Sequence, residues 1–262
     1  MHKRTVRFAS MIASLAVACV PEARAQQRAR AAPRTLPSIV ARTLDAIAPS
    51  TPVASDEPPS PTAARTMREL DAIESNMRIV SYRHDTRVNV REGRYEFDCS
   101  GLIAWVLARS APAAHRVTVE QASGGRPLAA DYARSFLRVA PTQQRGPWTR
   151  VSRVEDARAG DILAWIRPRI VRSNNTGHVV FVTGAPRRSA RYANAWLVPI
   201  ADSSRYRHQN DSREGTTRTG FGRGTILIAE DPATGSPRAF GWFGDLSPFV
   251  LDTQIAIARP ER

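Results

Sequence analysis

The sequence contains almost no lysine and almost no cysteine. Lys3 is the only lysine among 262 residues, so arginine carries nearly all of the net charge of +14. An arginine bias reflects nucleotide composition as readily as a binding surface, and no nucleic-acid module or stripe of basic and aromatic residues accompanies it. The composition therefore does not indicate a nucleic-acid-binding protein. It does favour electrostatic association with the anionic polymers of a cell envelope.

The chain also lacks an apolar segment long enough to cross a bilayer comfortably. Its first apolar segment, residues 8–20, follows a positively charged start and precedes Ala23-Arg24-Ala25, a pattern typical of signal-peptide cleavage. We therefore expect residues 1–25 to be a signal peptide removed after Ala25, and the mature protein to be periplasmic or secreted. Cys19 leaves open a second interpretation, a lipoprotein anchored through that residue.

Cleavage after Ala25 leaves Cys99 as the one cysteine of the mature protein, so no internal disulfide can form. A leftover thiol in an exported protein is a buried apolar group, an intermolecular link or a reactive group. Asp98 is a good N-cap, and the apolar residues 102–107 supply a helix body. The sequence thus predicts a helix that begins at Cys99 and ends near residues 109–112. The positive end of a helix dipole favours thiolate over thiol, so Cys99 is the candidate nucleophile.

Composition divides the mature chain into a linker and one globular domain. Residues 26–63 are rich in alanine, proline and arginine, which favours an extended tether. Residues 64–262 carry the periodic patterns of a folded domain. A packed helix is predicted at the start of this domain, with Thr66 and Glu69 as its capping box.

The pattern along the domain changes from helical to strand-like. Residues 78–97 and 113–126 predict loops, and residues 128–139 predict a helix. Short apolar runs between turn residues then predict antiparallel strands at 161–166, 178–183, 195–201, 225–229 and 238–243, with an edge strand at 250–258. The glycine-rich residues 220–224 predict a flexible turn before a strand, and residues 231–235 a hairpin turn. Helices followed by strands indicate an α+β fold.

Among the histidines of the mature chain, His178 has the context that suits a general base. A small-residue turn, Thr176-Gly177, opens its strand and would place the imidazole at the edge of a sheet. If this strand pairs with residues 195–202 around a turn near residue 190, Asp202 lies opposite His178 and can orient the ring. A register slip would turn Asp202 away. The orienting group would then be one of three nearby polar residues: Ser203, Ser204 or His208.

Three motifs, taken together and in order, carry a resemblance to a known family. Phe97-Asp98-Cys99-Ser100-Gly101-Leu102-Ile103, Ala159-Gly160-Asp161-Ile162-Leu163-Ala164-Trp165 and Gly177-His178-Val179 resemble the NlpC-type cell-wall peptidases and the related CHAP amidases. The resemblance spans roughly residues 67–245. It implies a papain-like fold, in which N-terminal helices, one of them beginning at the nucleophile, pack on an antiparallel sheet.

The resemblance also implies an activity and a set of site residues. Cys99 would be the nucleophile, His178 the general base and acid, and Asp202 the third polar residue, where the family more often has His, Asn or Gln. Asp98, Ser100 and Tyr82 are the substrate-binding candidates, although Tyr82 stands further from the cysteine than the tyrosine of the family does. The expected reaction is hydrolysis of amide bonds in peptidoglycan peptides through a thioester.

Partners and rival functions follow from the same interpretation. We expect a monomer that acts on peptidoglycan stem peptides and requires no cofactor. A zinc site formed by His178, Asp202 and His208 is disfavoured, because no ligand-spacing motif accompanies these residues. Two further functions remain open at this point: a non-catalytic wall-binding or scaffold protein of the same fold, and a thioester acyltransferase or deamidase.

Overall fold

A computed structural model describes residues 57–261, and this part of the chain has an α+β fold. In the described residues, four α-helices come before the whole of a large antiparallel sheet: α1 (Pro61–Asn76), α2 (Cys99–Ser110), α3 (Pro112–Gln121) and α4 (Ala129–Leu137). The predicted signal peptide and most of the predicted linker lie outside the described residues. Within the described part of the chain, no helix combines the length and the apolar character that a membrane span requires.

Helix α1 begins earlier than the sequence predicts. Ser60 is its N-cap and accepts a hydrogen bond from the Ala63 N–H at 3.1 Å, and Pro61 is its first residue. Proline fits that position because the missing N–H has no intrahelical acceptor there. The predicted capping box at Thr66 is therefore wrong. Thr66 is buried within the helix and donates to the Ser110 hydroxyl at 2.9 Å, which ties α1 to α2.

Helix α3 corrects the predicted loop at residues 113–126. It begins at Pro112, directly after α2 ends, and it runs to Gln121. Ala114 and Thr118 are its only buried side chains. So little apolar surface produces no clear helical period in the sequence, which explains why the pattern alone misses this helix.

The predicted loop at residues 78–97 contains a small three-stranded sheet. Its strands are β1 (Ile79–Ser81), β2 (Arg87–Asn89) and β3 (Arg94–Glu96), and β3 lies in the middle, parallel to β1 and antiparallel to β2. Three residues are too few to show an alternating pattern, so the sequence gives no strand signal here. The sheet leads directly into Phe97 and Asp98 and so fixes where α2 begins.

The large sheet has ten strands. They are β4 (Gln144–Arg145), β5 (Trp148–Val151), β6 (Ile162–Ile166), β7 (Gly177–Val182), β8 (Arg187–Arg188), β9 (Ala195–Ser204), β10 (Gly220–Glu230), β11 (Pro237–Gly241), β12 (Leu251–Asp252) and β13 (Ile255–Pro260). Their order is β12-β11-β10-β9-β7-β6-β13-β5-β4, with β8 beside β9, and all pairings are antiparallel. The five predicted strands are confirmed as β6, β7, β9, β10 and β11.

Two predictions for the sheet are wrong. The expected edge strand at 250–258 is divided into β12, at the edge, and β13, which lies inside the sheet between β6 and β5. The glycine-rich residues 220–224 are not a turn but the first half of β10, and each of them pairs with a residue of β9. The predicted hairpin turn at residues 231–235 is confirmed, because Asp231 accepts from the Ala233 and Thr234 N–H groups at 3.0 Å.

Apolar side chains pack on both faces of the large sheet. Along β7, Val179 and Phe181 belong to a core shared with helices α2 and α4, whereas Val180 and Val182 belong to a second core on the other face. This is the alternation expected of a strand that is covered on both sides. The sheet curls, so Phe240 of β11 joins residues of β13 in the second core. On the first face, helix α2 packs directly against β7.

Candidate active site

Cys99 is the first residue of helix α2, as the sequence predicts. Asp98 caps the helix: its Oδ1 accepts from the Gly101 N–H at 2.8 Å and from the Ser100 hydroxyl at 3.0 Å. The thiol side chain is nearly buried, with 7% of the residue exposed. Because backbone N–H groups of the first turn have no intrahelical acceptor, the sulfur lies beside free donors and the positive end of the helix dipole.

His178 is the second residue of strand β7, and the backbone of Gly177 before it lies very close to the neighbouring strand β6. Gly177 pairs with Ile166 and has a φ of +153°. A Cβ added at this position would overlap the carbonyl oxygen of Trp165 on the neighbouring strand. Glycine is therefore required here. It lets β7 begin tightly against β6, which fixes the position of the imidazole.

We expect the Gly177→Ala variant to be strongly destabilised, because both the steric overlap and the backbone conformation oppose a methyl group. The loss of unfolding free energy should be about 2–4 kcal/mol, the size typical of overpacking combined with backbone strain. Urea denaturation followed by circular dichroism measures it. Gly124→Ala is the matched control, since a Cβ there meets no atom within 4 Å. Equal stability of the two variants would contradict the close approach at Gly177.

The imidazole of His178 joins the thiol to a buried carboxylate. Its Nε2 lies 2.7 Å from Asp202 Oδ2, and the Cys99 side chain is close enough to the ring to influence its pKa. Because Nε2 is engaged by Asp202, Nδ1 is the nitrogen left for the sulfur. Burial lowers the pKa of His178, but the negative charge at Cys99 and the bond to Asp202 outweigh burial and raise this pKa to about 10. The histidine is therefore an imidazolium at neutral pH.

The register of β7 and β9 differs from the predicted one by two residues. Phe181 pairs with Ala201 and Val182 with Ile200, so the continued register places Ser204, not Asp202, opposite His178. An even shift leaves a side chain on the same face of a sheet, whereas an odd shift would turn it away. Asp202 is consequently a diagonal neighbour of His178 and still reaches it.

A second histidine contacts the same oxygen of Asp202. His208 Nε2 lies 2.9 Å from Asp202 Oδ2, and its Nδ1 lies 3.1 Å from the carbonyl oxygen of Trp242. Asp202 is fully buried. Burial opposes ionisation of the carboxyl, but the two histidines hold its pKa far below the usual range. Asp202 is thus a carboxylate shared between two imidazoles.

The two serines that follow Asp202 on β9 bind backbone carbonyl groups. Ser203 donates to the Phe97 carbonyl oxygen at 2.5 Å, and Ser204 donates to the Tyr206 carbonyl oxygen at 2.5 Å. Both hydroxyls hold the backbone around the site, so neither serine is the group that orients His178. Among the polar residues that the sequence nominated for that role, Asp202 contacts the imidazole directly and His208 contacts Asp202.

Comparisons with family models, with curated proteins and with solved structures found no match to this chain.

His178, Asp202 and His208 also form a group whose donor atoms lie within 4.8 Å of one another, close enough to hold a metal ion. Their nitrogen–oxygen separations of 2.7 and 2.9 Å are those of hydrogen bonds. Zinc bonds of about 2.0–2.1 Å in a tetrahedral site keep ligand atoms about 3.3 Å apart. The arrangement fits shared protons better than a shared metal ion.

The three predicted substrate-binding residues lie around the thiol in different environments. Asp98 is buried and ion-paired with Arg126, and its Oδ2 lies 3.2 Å from His84 Nδ1. Ser100 is also buried and donates to Asp98. Tyr82 is half-buried; burial, then the negative charges of Cys99 and Asp98, raise the pKa of its phenol. Tyr82 is therefore a neutral donor near the sulfur, while Asp98 and Ser100 are held by protein partners.

Sequence reasoning missed two contributors, Arg213 and Trp242. Arg213 is buried, forms a bidentate ion pair with Asp211, and places its Nη2 3.7 Å from Asp202 Oδ1. The Trp242 ring packs in a tilted orientation against His208 and His178, with ring centroids 4.4 and 4.9 Å apart. The alternating glycines of β10 were the available signal, because such a strand makes room for side chains packed across it.

Proposed function

We propose that this protein is an exported cysteine hydrolase that cleaves amide bonds in peptidoglycan peptides. The observation that carries the proposal is the buried series Cys99–His178–Asp202, in which His178 is hydrogen-bonded to Asp202 and interacts electrostatically with Cys99, with the sulfur at a helix start and the imidazole at a strand start. A nucleophile, a base and a group that orients the base are the three parts that covalent amide hydrolysis requires. The helices and the antiparallel sheet suit a papain-like fold.

The first half of the reaction forms a thioester. The thiolate of Cys99, whose proton resides on His178, attacks the carbonyl carbon of the amide and forms a C–S bond. The tetrahedral intermediate then collapses. Its C–N bond breaks as the imidazolium gives its proton to the leaving nitrogen, and a free amine departs. Asp202 keeps the ring oriented, because it holds Nε2 while the other nitrogen exchanges the proton.

The second half releases the acid. His178, now neutral, takes a proton from water, and the oxygen attacks the thioester carbon. The C–S bond breaks, the carboxylic acid product leaves, and the thiolate and imidazolium are restored. Each cycle consumes one water molecule and cuts one amide bond.

Three donors suit the oxyanion that forms in both halves. The N–H groups of Cys99 and Ser100 are in the first turn of α2, where the helix supplies no acceptor for them. Tyr82 supplies a phenol that stays neutral, since burial and nearby negative charge raise its pKa. These donors stabilise negative charge on a substrate oxygen beside the sulfur.

The substrate class rests on the family resemblance and on charge. Cell-wall stem peptides carry carboxylates, and the site is bordered by the half-buried Arg126 and by Arg205, whose guanidinium lies 5.4 Å from the centre of the Tyr82 ring. A net charge of +14 would also keep the protein near anionic wall polymers. We propose a monomer that acts in the periplasm or outside the cell, without a cofactor and without nucleic acid.

Digestion of purified peptidoglycan tests this function. We expect the full chain to release peptides that carry one new amine and one new carboxylate per cut, identified by mass spectrometry. Protein whose thiol has been blocked with iodoacetamide is the control and should release none. Products joined to an added amine would identify a transferase instead, and an unchanged peptide profile would overturn the enzyme proposal in favour of a scaffold.

A further inference from the structure

The alternating glycines of β10 lie beside the buried carboxylate. Gly222 pairs with Asp202 on β9, and Gly224 pairs with Ile200, so both are on the same face as Asp202. A Cβ at Gly222 would overlap the Arg213 guanidinium, and one at Gly224 would lie 2.8 Å from the Cβ of His208. The strand thus leaves space for two side chains from the segment that connects β9 to β10.

That segment is fixed against β10 by its backbone. Gln209 and Thr225 exchange hydrogen bonds of 3.3 and 2.8 Å, and the Ser212 N–H donates to the Arg223 carbonyl oxygen at 2.8 Å. Asp211 then accepts from the His208 N–H at 2.8 Å. His208 is accordingly held in place on both sides, and its side chain is completely buried.

Both ring nitrogens of His208 face atoms that only accept hydrogen bonds. Nδ1 faces the carbonyl oxygen of Trp242, which has no proton to give, so Nδ1 must carry one. Nε2 faces the Asp202 carboxylate oxygen, which already accepts from His178. With Asp202 ionised, Nε2 carries a proton as well. The geometry therefore requires a doubly protonated, positively charged ring.

The charges around this ring balance. With Cys99 as the thiolate of the proposed mechanism and with His208 protonated, three groups are negative and three are positive: Cys99, Asp202 and Asp211 against His178, His208 and Arg213. Tyr82, which also interacts electrostatically with Asp202, stays neutral. A neutral His208 would leave this buried group of side chains with one uncompensated negative charge, which is costly in a low-dielectric environment.

We propose that His208 is a positioning residue, a second imidazole kept as a cation, which holds Asp202 ionised and directed at His178. The Trp242 ring covers both imidazoles and its carbonyl oxygen fixes the orientation of His208. The consequence for catalysis rests on the proposed function, whereas the protonation state of His208 does not. The site is then a series of four side chains, Cys99–His178–Asp202–His208.

Nitrogen-15 NMR of the full chain tests the charge directly. We expect both ring nitrogens of His208 to carry a proton at about pH 8, because each of them faces a hydrogen-bond acceptor. His115 is the internal control, because burial lowers its pKa and its ring should be neutral at that pH. A neutral His208 ring at about pH 8 would overturn the proposal, whether or not the protein hydrolyses peptidoglycan.

The His208→Gln variant tests the effect on the thiol. Glutamine can still donate to Asp202 but carries no charge, so the imidazolium–thiolate pair loses a nearby positive charge. We expect the pH at which iodoacetamide alkylation of Cys99 is half-maximal to rise by about 1 unit, the shift typical of one nearby charge. His115→Gln should leave it unchanged. A purely structural role would lower the melting temperature without moving this midpoint, and an unmoved midpoint would overturn the proposal.

Alkylation also separates this inference from the proposed function. If wild-type protein shows the His208-dependent shift but leaves peptidoglycan intact, the four-residue series stands and the hydrolase proposal fails. If peptidoglycan is cut but the alkylation midpoint is the same in the wild type and in His208→Gln, the hydrolase proposal stands and the positioning role fails. Should His208→Gln not fold, the NMR measurement on the wild-type chain still decides the protonation state.

Discussion

In the proposed hydrolase, replacing Cys99 by serine or alanine is expected to reduce amide hydrolysis by at least about 10³-fold, because the proposed nucleophile, base and orienting acid act as one unit. Such a loss corresponds to about 4 kcal/mol of transition-state stabilisation. Serine keeps the size and the hydrogen-bonding capacity of the side chain, but its hydroxyl is far less acidic than a thiol. The measurement is the release of new amines from purified peptidoglycan.

Both variants must fold for that result to have meaning. Cys99 is small and its neighbours are fixed by the Asp98 cap, so we expect both variants to fold, with melting temperatures below that of the wild type because His178 loses the negative charge beside it. Ser75→Ala, which removes an exposed hydroxyl on α1, is a control that should retain full activity. Activity in the Cys99→Ala variant comparable to the wild type would assign the nucleophile to another residue.

The Asp202→Asn variant is expected to lose both activity and stability. Two imidazoles and a buried arginine face this carboxylate, so the amide leaves buried positive charge without its counter-ion. Removing one partner from such a buried group costs about 3–5 kcal/mol of unfolding free energy. Hydrolysis should fall by about 10²-fold or more, because His178 loses the group that fixes its ring.

The pH dependence of the unfolding free energy shows whether the charge of Asp202 is the source of this stability. The folded pKa of Asp202 is depressed, so its contribution is present above the ordinary carboxyl pKa and is lost as the pH falls through the folded value. The folded pKa of His178 is raised, so its contribution is present below the ordinary imidazole pKa and is lost as the pH rises through about 10. Urea denaturation across this range should show both losses in the wild type.

In Asp202→Asn the loss on the acid side should largely disappear, and the loss on the alkaline side should shrink. Asp252→Asn is the matched control, since that carboxylate is exposed, pairs with Arg238 at 3.3 Å, and should contribute less than about 1 kcal/mol. A variant as stable as this control would show that Asp202 is not the counter-ion of the two histidines.

Local signals account for the parts of the site that the sequence predicted. Asp98 and the apolar residues after Cys99 specify a helix start over a few positions, and a glycine before His178 specifies a strand start. The face of the sheet to which a side chain points is also a local property, because it alternates from one residue of a strand to the next. The predicted contact with Asp202 therefore survived a register error of two residues.

What the sequence did not predict depends on contacts between distant segments. His208 was a candidate only because it is a polar residue close to Asp202 in the sequence, and its bond to Asp202 depends on a connecting segment that folds back over β10. Gly222 looked like a turn residue because flexibility is the commonest use of glycine, whereas here it provides room for Arg213. Neither the His208–Asp202 contact nor the packing of Arg213 over Gly222 produces a pattern within a short stretch of sequence.

The position of β13 has a consequence for how the protein matures. It follows every other strand in the described part of the chain, yet it lies between β6 and β5, in the interior of the sheet. Before residues 255–260 have been added to the chain, β6 and β5 each lack the strand that pairs with them along most of their length. The position of β6, the strand that pairs with the start of β7 at His178, is therefore not yet fixed. Pairing over such sequence separations is slow. The position of His178 in an emerging chain is therefore not fixed before residues 255–260 have been added.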